Sequence, residues 1–398
     1  MKTALLAYQY GMGNSGDFAI NIGSLDLLYE YYDQMIIISK FTKSDTEFEI
    51  DKEYLNKYYK NIEVIEGPFK LDRSNIVGTV SNYISGLVKY PFLLVSASYN
   101  KKFKDAEVVF LNGGNLLRCN SMTDYIRLFA LIFPLRLAKR NSIKYILLPQ
   151  STTSINMLGL KLLDPYLNSA NTVYAREQLS KDRLEQYFPK SNIEISLDTA
   201  FFIKDREIVK SKYKKKYPHL SIKKNNVCLT LRKEDIGDIG ELSLEKRHKI
   251  NESIEKLINL LIEDKYTVTF VIQSKKDKEF TTHVYNKFSS CTDVNLVEEY
   301  DPLILREIYR NSTCLIGMRL HSLILAMSAG TPVIGYFDQK WGHKNPGTLG
   351  QYKMPYGFID QDPDLHSFLV NSFENKEIML IEIEKTKNKL RSSLQESI

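Results

Sequence analysis

The chain has 398 residues, 43% of them hydrophobic and 26% charged. This is ordinary globular composition, and the length suggests two domains of about 150–200 residues, each with its own core. A net charge of +6 is too mild to announce nucleic-acid binding, so no nucleic acid is expected as a partner; it suits anionic small molecules or loose contact with an acidic membrane face.

In chain order, the N-terminal stretch "MKTALLAYQYGMG" reads as a first strand, not a signal peptide. Its apolar run is short, contains Tyr8 and Tyr10, and leads into a glycine loop. "MIIIS", "AEVVFLN", "IKYILLP", "NTVYA" and "NIEISLD" follow as strands of the first half. "NNVCLTLR", "YTVTFVIQ", "VNLVEEY", "TCLIGM" and "PVIGYF" are those of the second. Amphipathic stretches separate them, and such alternation argues for parallel sheets covered on both faces. The longest apolar regions, Tyr90–Ala97 and Leu128–Leu137, are too short to span a bilayer, so a cytoplasmic protein, at most peripheral at the inner membrane face, is expected.

The break between domains is read in residues 204–226. Nine of the 21 residues from Lys204 to Lys224 are Lys or Arg, which favours a solvated linker or surface helix; a basic patch resting on a membrane is the alternative. The expected division is 1–205, 206–362 and a C-terminal helical segment, 363–398, that folds back. Cys119, Cys228, Cys291 and Cys314 are far apart, form no CxxC pair, and read as reduced structural thiols.

Ligands of open parallel sheets bind at the carboxyl ends of strands, so polar residues just after a strand gain weight. Arg319 and His321 fall where the strand "TCLIGM" hands over to a helix. Helix N–H groups, a planar guanidinium fork and an imidazole could there converge on one anion. Arg232 follows the first strand of the second half. Gly11, Gly13 and Gly16 satisfy GxGxxG, but the second strand ends in Ser39 and Lys40 and offers no acid for a ribose. A dinucleotide is therefore set aside for a loop that substrate approaches closely, with Asn14 and Asp17 as polar handles. Asn112, Gly113, Gly114 and Asn115 follow a middle strand, where paired glycines suggest close approach to the backbone. Gln150, Ser151 and Thr152 follow the next, and Arg176 the one after. Asp198 reads as half of a buried ion pair, and Asp338 with Lys340 as cleft residues. The other histidines (219, 248, 283, 343 and 366) show no metal-ligand spacing, and no metal is expected.

These segments together resemble the polysaccharide pyruvyl transferase family. The resemblance is carried by Asn14-Ser15-Gly16-Asp17, by "NGGNLL", by Ala175-Arg176-Glu177 with Ser180, and by Arg319-Leu320-His321-Ser322 followed by Ala326, Gly330 and Pro332. It runs from about residue 5 to 345. One departure is the middle segment, where Asn112 and Asn115 flank two glycines instead of the usual three. The resemblance implies a fold similar to GT-B glycosyltransferases, α/β with two Rossmann-like domains and parallel sheets facing a cleft. It also implies transfer of pyruvate from phosphoenolpyruvate onto two sugar hydroxyls, giving a cyclic ketal on a cell-surface polysaccharide or its lipid-linked precursor.

On that basis His321 is expected as acid or phosphate donor. Arg319 and Arg232, with Leu320 and Ser322, would form the anion site, and Asp17 would be the base. Asn14, Gly16, Asn112, Gly113, Gly114, Asn115, Gln150 and Arg176 would lie on the acceptor side, and Asp338 and Lys340 elsewhere in the cleft. No cofactor is implied beyond phosphoenolpyruvate as co-substrate. Two other readings stay open: a GT-B glycosyltransferase using a nucleotide sugar, and a non-catalytic anionic-sugar-binding or scaffold protein of a polysaccharide biosynthesis complex.

Overall fold

The computed structural model describes residues 1–69, 76–220, 225–233, 244–339, 344–361 and 364–398. The chain divides into two compact units. The first contains Met1–Met12, Ile20–Phe202 and Lys387–Ile398; the second contains Gly13–Ala19 and Ile203–Thr386.

The first unit holds β1 (Thr3–Gln9), β2 (Gln34–Ser39), β3 (Ile62–Ile65), β4 (Val108–Leu111), β5 (Gly114–Cys119), β6 (Lys144–Ile155), β7 (Thr172–Ala175) and β8 (Ile193–Ile195). They form one sheet in the order β3-β2-β1-β4-β6-β7-β8, with β5 pairing β6. Ala4, Leu5, Leu6 and Ala7 are all fully buried, so β1 reads as a continuous apolar run because both sheet faces are covered. One cover is the helix Met122–Arg140, which begins in a capping box between Ser121 and Asp124 and buries Leu128, Leu131 and Phe133.

The second unit holds β9 (Asn226–Thr230), β10 (Thr267–Ile272), β11 (Val294–Glu298), β12 (Cys314–Gly317), β13 (Val333–Phe337) and β14 (Tyr356–Phe358). Their order is β11-β10-β9-β12-β13-β14, all in parallel pairs. Counted within the unit, this is the doubly wound order 3-2-1-4-5-6, whose switch point falls between its first and fourth strands. Here those are β9 and β12. In the first unit the order reverses between β1 and β4.

Three strands escape the sequence reading: β3, β5 and β14. The first and last are edge strands of four and three residues, too short to show a period. The third changes the site. β5 pairs with β6 beyond the point where β4 stops, at Gly114↔Gln150, Leu117↔Thr152 and Cys119↔Ile155. Gln150, Ser151 and Thr152, expected after a strand, therefore lie inside β6, and Gly114 and Asn115 open a strand instead of a loop.

The lysine run is partly helical, Glu207–Lys216, with Val209 and Tyr213 buried and Lys216 Nζ 2.8 Å from Glu299 Oε2. The C-terminal segment forms the helices Leu365–Glu374 and Lys376–Ser397. Its last turns pack in the first unit, where Ser393 shares a hydrogen bond with the Tyr174 hydroxyl at 2.6 Å and Arg391 Nε donates to Glu30 Oε2 at 2.9 Å. All four cysteines are free, with Cys119, Cys228 and Cys314 buried. Among the described residues no helix is long and apolar enough to cross a membrane.

Candidate functional site

In the second unit the strands flanking the switch point deliver the arginines. β9 ends at Thr230, two residues before Arg232, and β12 ends at Gly317, two before Arg319. Arg319 occupies the N-cap position of the helix Leu320–Ser328. Its Nε and Nη2 donate to the two carboxylate oxygens of Asp277 at 2.8 and 2.6 Å, a bidentate pair. Asp277 is 1% exposed and also accepts from the Lys233 backbone N–H at 3.0 Å. Burial pulls the Arg232 guanidinium down to about 10, helped by the neighbouring charge of Arg319 and opposed by Asp277 and Asp338. Two guanidiniums thus sit at one strand-end site, with Asp277 and Asp338 as their facing carboxylates.

The loop Asn14–Asp17 belongs to this unit. Ser15 is fully buried, its hydroxyl 2.8 Å from the carbonyl oxygens of both Gln273 and Tyr300, just past β10 and β11. Asn14 forms a bridge with Ser274. Its side-chain oxygen accepts from Gly16 N–H at 3.2 Å, and its amide donates to Asp17 Oδ2 at 2.8 Å. A Cβ on Gly16 would come within 2.5 Å of His321 Nδ1 and 2.6 Å of His321 Cβ. The glycine is therefore required by the histidine. Two motifs three hundred residues apart in the chain meet here, and Asp17 is held by Asn14 one residue beyond that contact.

Other members of the expected anion set face inward. Ser322 is fully buried; its hydroxyl donates to the Arg319 carbonyl at 2.6 Å and shares a 2.8 Å hydrogen bond with Thr230. This pins the helix start to β9, and the side chain is consumed in doing so. Leu320 is buried apolar packing. Asp338, 2% exposed, follows β13 and influences Arg232 electrostatically. Lys340 lies outside the described residues.

The first unit's strand ends are built differently. Asn112 is fully buried: its amide donates to Asn21 Oδ1 at 2.7 Å and its side-chain oxygen accepts from Ser24 and from Gly113 N–H. Gln150 Nε2 donates to the Asn112 carbonyl at 2.6 Å. Gly114 has φ +128°, and a Cβ there would strike the Tyr10 hydroxyl at 2.1 Å; one on Gly113 would meet the Pro149 carbonyl at 2.8 Å. The close approach that these glycines permit comes from within the unit, which corrects the expectation that a ligand makes it. Arg176 is 4% exposed and donates to Asp198 and, from Nε and Nη2, to Ser151 Oγ at 3.0 and 2.8 Å. Burial opposes its charge, but Asp198 and Glu177 outweigh burial and raise its pKa. Glu177 in turn accepts from Ser151 and Ser180. The "ARE-x-x-S" segment is thus a clamp joining β6, β7 and the following helix, and the buried ion pair expected of Asp198 is made with Arg176, which had been expected on the acceptor side. Of this set, Asn115 stays half-buried with a side-chain oxygen that has no hydrogen-bond partner among the described residues.

Two participants went unread in the sequence. Asp277 follows β10 within "QSKKDKEF", and the strand-end criterion reaches it once its lysine neighbours are discounted. Ser15 is hidden between two residues that were singled out. Among the described residues no three His, Cys, Asp or Glu side chains gather as metal ligands.

Two doubly wound parallel-sheet units define an α/β protein of the GT-B-like class. The profile of the polysaccharide pyruvyl transferase family matches residues 14–336, and the chain belongs to that family. Among solved structures the chain is similar to UDP-GlcNAc 2-epimerase from Neisseria meningitidis bound to UDP-GlcNAc, with TM-score 0.59 and 13% identity over 99% of this chain and 100% of the other. It is likewise similar to UDP-GlcNAc 2-epimerase from Methanocaldococcus jannaschii, with TM-score 0.55 and 14% identity over 96% and 93%. A third is Phytolacca americana UGT2 complexed with UDP-2fluoro-glucose and pterostilbene, with TM-score 0.56 and 10% identity over 98% and 94%. At these identities the likeness describes the fold alone. A comparison with curated proteins finds no match.

Proposed function

We propose that this protein transfers pyruvate from phosphoenolpyruvate onto two hydroxyls of a sugar, and that the donor binds in the second unit at Arg232, Arg319 and His321. The observation that carries this reading is the placement of Arg232 and Arg319 just past the two strands that flank the switch point, with Arg319 bidentate on Asp277. Phosphoenolpyruvate brings a phosphate and a carboxylate, two anions for two planar forks. His321 protonates the methylene carbon, giving an oxocarbenium-like centre. A sugar hydroxyl attacks that centre and yields its proton to Asp17, which the Asn14 amide holds in place. The second hydroxyl then displaces phosphate and closes the ketal; its proton leaves with the phosphate, while the arginines neutralise the departing charge. No further cofactor enters this scheme. The sugar acceptor, free or lipid-linked, is assigned to the first unit, where Asn115 keeps a side-chain oxygen with no hydrogen-bond partner among the described residues.

Calorimetry with phosphoenolpyruvate, UDP and UDP-sugars on the wild type and on Arg319→Ala tests the reading. Saturable binding of phosphoenolpyruvate, lost in the variant, is expected. Preferential binding of UDP would replace the proposal with a nucleotide-sugar transferase, and binding of neither would favour a scaffold.

A further inference from the structure

The first unit exposes an apolar stripe on the helix Ile76–Val95. Ile84 is 60% exposed, Val88 62%, Phe92 70% and Val95 63%. At about 100° per residue these four fall within an arc of roughly 80°, while buried Gly86, Tyr90 and Leu94 lie on the opposite side. Single exposed apolar residues are ordinary; four aligned over three turns are an interaction surface.

Charge decides what the surface meets. Lys89 is exposed beside the stripe, and the next helix, Ala97–Asp105, adds exposed Lys101 and Lys104 against one acid of its own, Asp105. A cleft of about 500 Å³ at the flank of the stripe is lined by Lys43 and Lys89, with Glu66 as its acid. A second apolar corner provides the contrast. Val370, Phe373, Ile378 and Ile381 are also exposed, but their stretch carries Glu374, Glu377, Glu382 and Glu384 against one lysine, Lys376. An apolar stripe edged by lysines matches the interfacial layer of an anionic bilayer, whereas one edged by glutamates does not.

We infer that the helix Ile76–Val95 docks on an anionic lipid surface, with Val88 and Phe92 inserted among the acyl chains and Lys43, Lys89, Lys101 and Lys104 facing the headgroups. This places membrane contact in the first unit and away from the lysine-rich helix Glu207–Lys216, which exposes only Ile208 among its large apolar side chains. It does not depend on the reaction proposed above.

Co-sedimentation of the full chain with phosphatidylglycerol–phosphatidylcholine vesicles, and with phosphatidylcholine alone, tests it. The wild type is expected to pellet with the anionic vesicles at least tenfold more strongly than with the neutral ones, and less as salt rises. Val88→Ser/Phe92→Ser should lose at least tenfold in partitioning, and Lys89→Glu several-fold. Ile381→Ser should behave as wild type. Both stripe residues are exposed, so circular dichroism and melting should be unchanged. Three results would overturn the inference: a wild type that stays in the supernatant, equal pelleting of wild type and the double variant, or a lipid-free dimer that the double variant dissociates.

Discussion

Arg176 and Arg319 each follow a strand, and each pairs with an aspartate whose side chain is 2% exposed, yet they are spent in different ways. Every guanidinium nitrogen of Arg176 has an internal partner, and the facing charges raise its pKa. Arg319 is 21% exposed, places Nε and Nη2 on Asp277, and shares that carboxylate's field with Arg232, whose pKa falls. A buried ion pair closed on itself holds elements together; two arginines gathered at one carboxylate can also meet an anion. Position after a strand is common to both and cannot separate them. What separates them is the balance of charge around each fork.

The sharpest way to break this comparison is to remove the saturated arginine. Arg176→Ala leaves Asp198 buried and unpaired and frees Ser151, so a loss of about 3–5 kcal/mol in stability is expected. Chemical denaturation reads it, and phosphoenolpyruvate affinity measured on the still-folded fraction should stay at the wild-type value. A variant that melts normally but binds poorly would place Arg176 at the donor after all.

Arg319→Ala should lose stability too, since Asp277 is buried, but its turnover should fall far more than its stability explains. Losing one arm of an anion clamp costs about 10²–10³ in turnover. Arg319→Lys should recover only part of this, because an ammonium cannot span both oxygens of Asp277 while meeting a donor anion. Steady-state kinetics on the three proteins, beside their melting curves, would show whether activity and stability separate. A parallel fall in both would make Arg319 another Arg176.

Gly16→Ala tests the junction of the two motifs. The new methyl must displace His321 or the loop, since the nearest atoms include the histidine's own Cβ at 2.6 Å, which no rotamer change moves away. Displacement of about 1 Å at a reacting group can cost about 10²-fold in rate. The expected signature is a fall in kcat with donor affinity changed by less than about threefold, measured by calorimetry alongside turnover. Unchanged kcat would mean that His321 has no role in proton delivery.

The fold was legible because both sheets are buried on both faces, so eleven of their strands stand out as apolar runs with polar ends, Leu5–Ala7 and Leu315–Gly317 among them. Arg319 and His321 were legible for the same reason, since each follows such a run. The character of Asn112, Gln150 and Arg176 was not. Their partners (Asn21, Ser24, Asp198 and Ser151) are distant in sequence or unremarkable in type, and only folding reveals that the polar atoms are already used. β5 was missed because Gly114 and Asn115 look like a loop until β6 offers an edge beyond β4. Asp277 was missed because two lysines precede it and one follows, which makes the stretch read as solvated surface.

A buried carboxylate elsewhere in the first unit, Asp51, supplies the smallest effect. Asp51 is 1% exposed; Oδ1 accepts from Met12 N–H at 3.0 Å, while Oδ2 has no hydrogen-bond partner among the described residues. Burial pushes its pKa up to about 7, with the Met12 N–H and Lys40 acting the other way. The folded chain therefore holds this proton more tightly than the unfolded chain. Between about pH 4 and pH 7 the native state binds more protons, so stability falls as pH rises through that window and levels off above it. Asp51→Asn removes the dependence. It should melt higher than wild type at pH 8, and the difference should vanish by about pH 3, where the wild-type carboxyl is largely protonated in both states. The gain is expected to be only about 1 kcal/mol, because the asparagine NH2 takes the place of an oxygen that has no partner and meets no acceptor either. A variant less stable than wild type at pH 8 would mean that the carboxylate is needed as a charge beside the Gly11–Met12 turn. The first unit would then hold a second site of the kind now ascribed to the other.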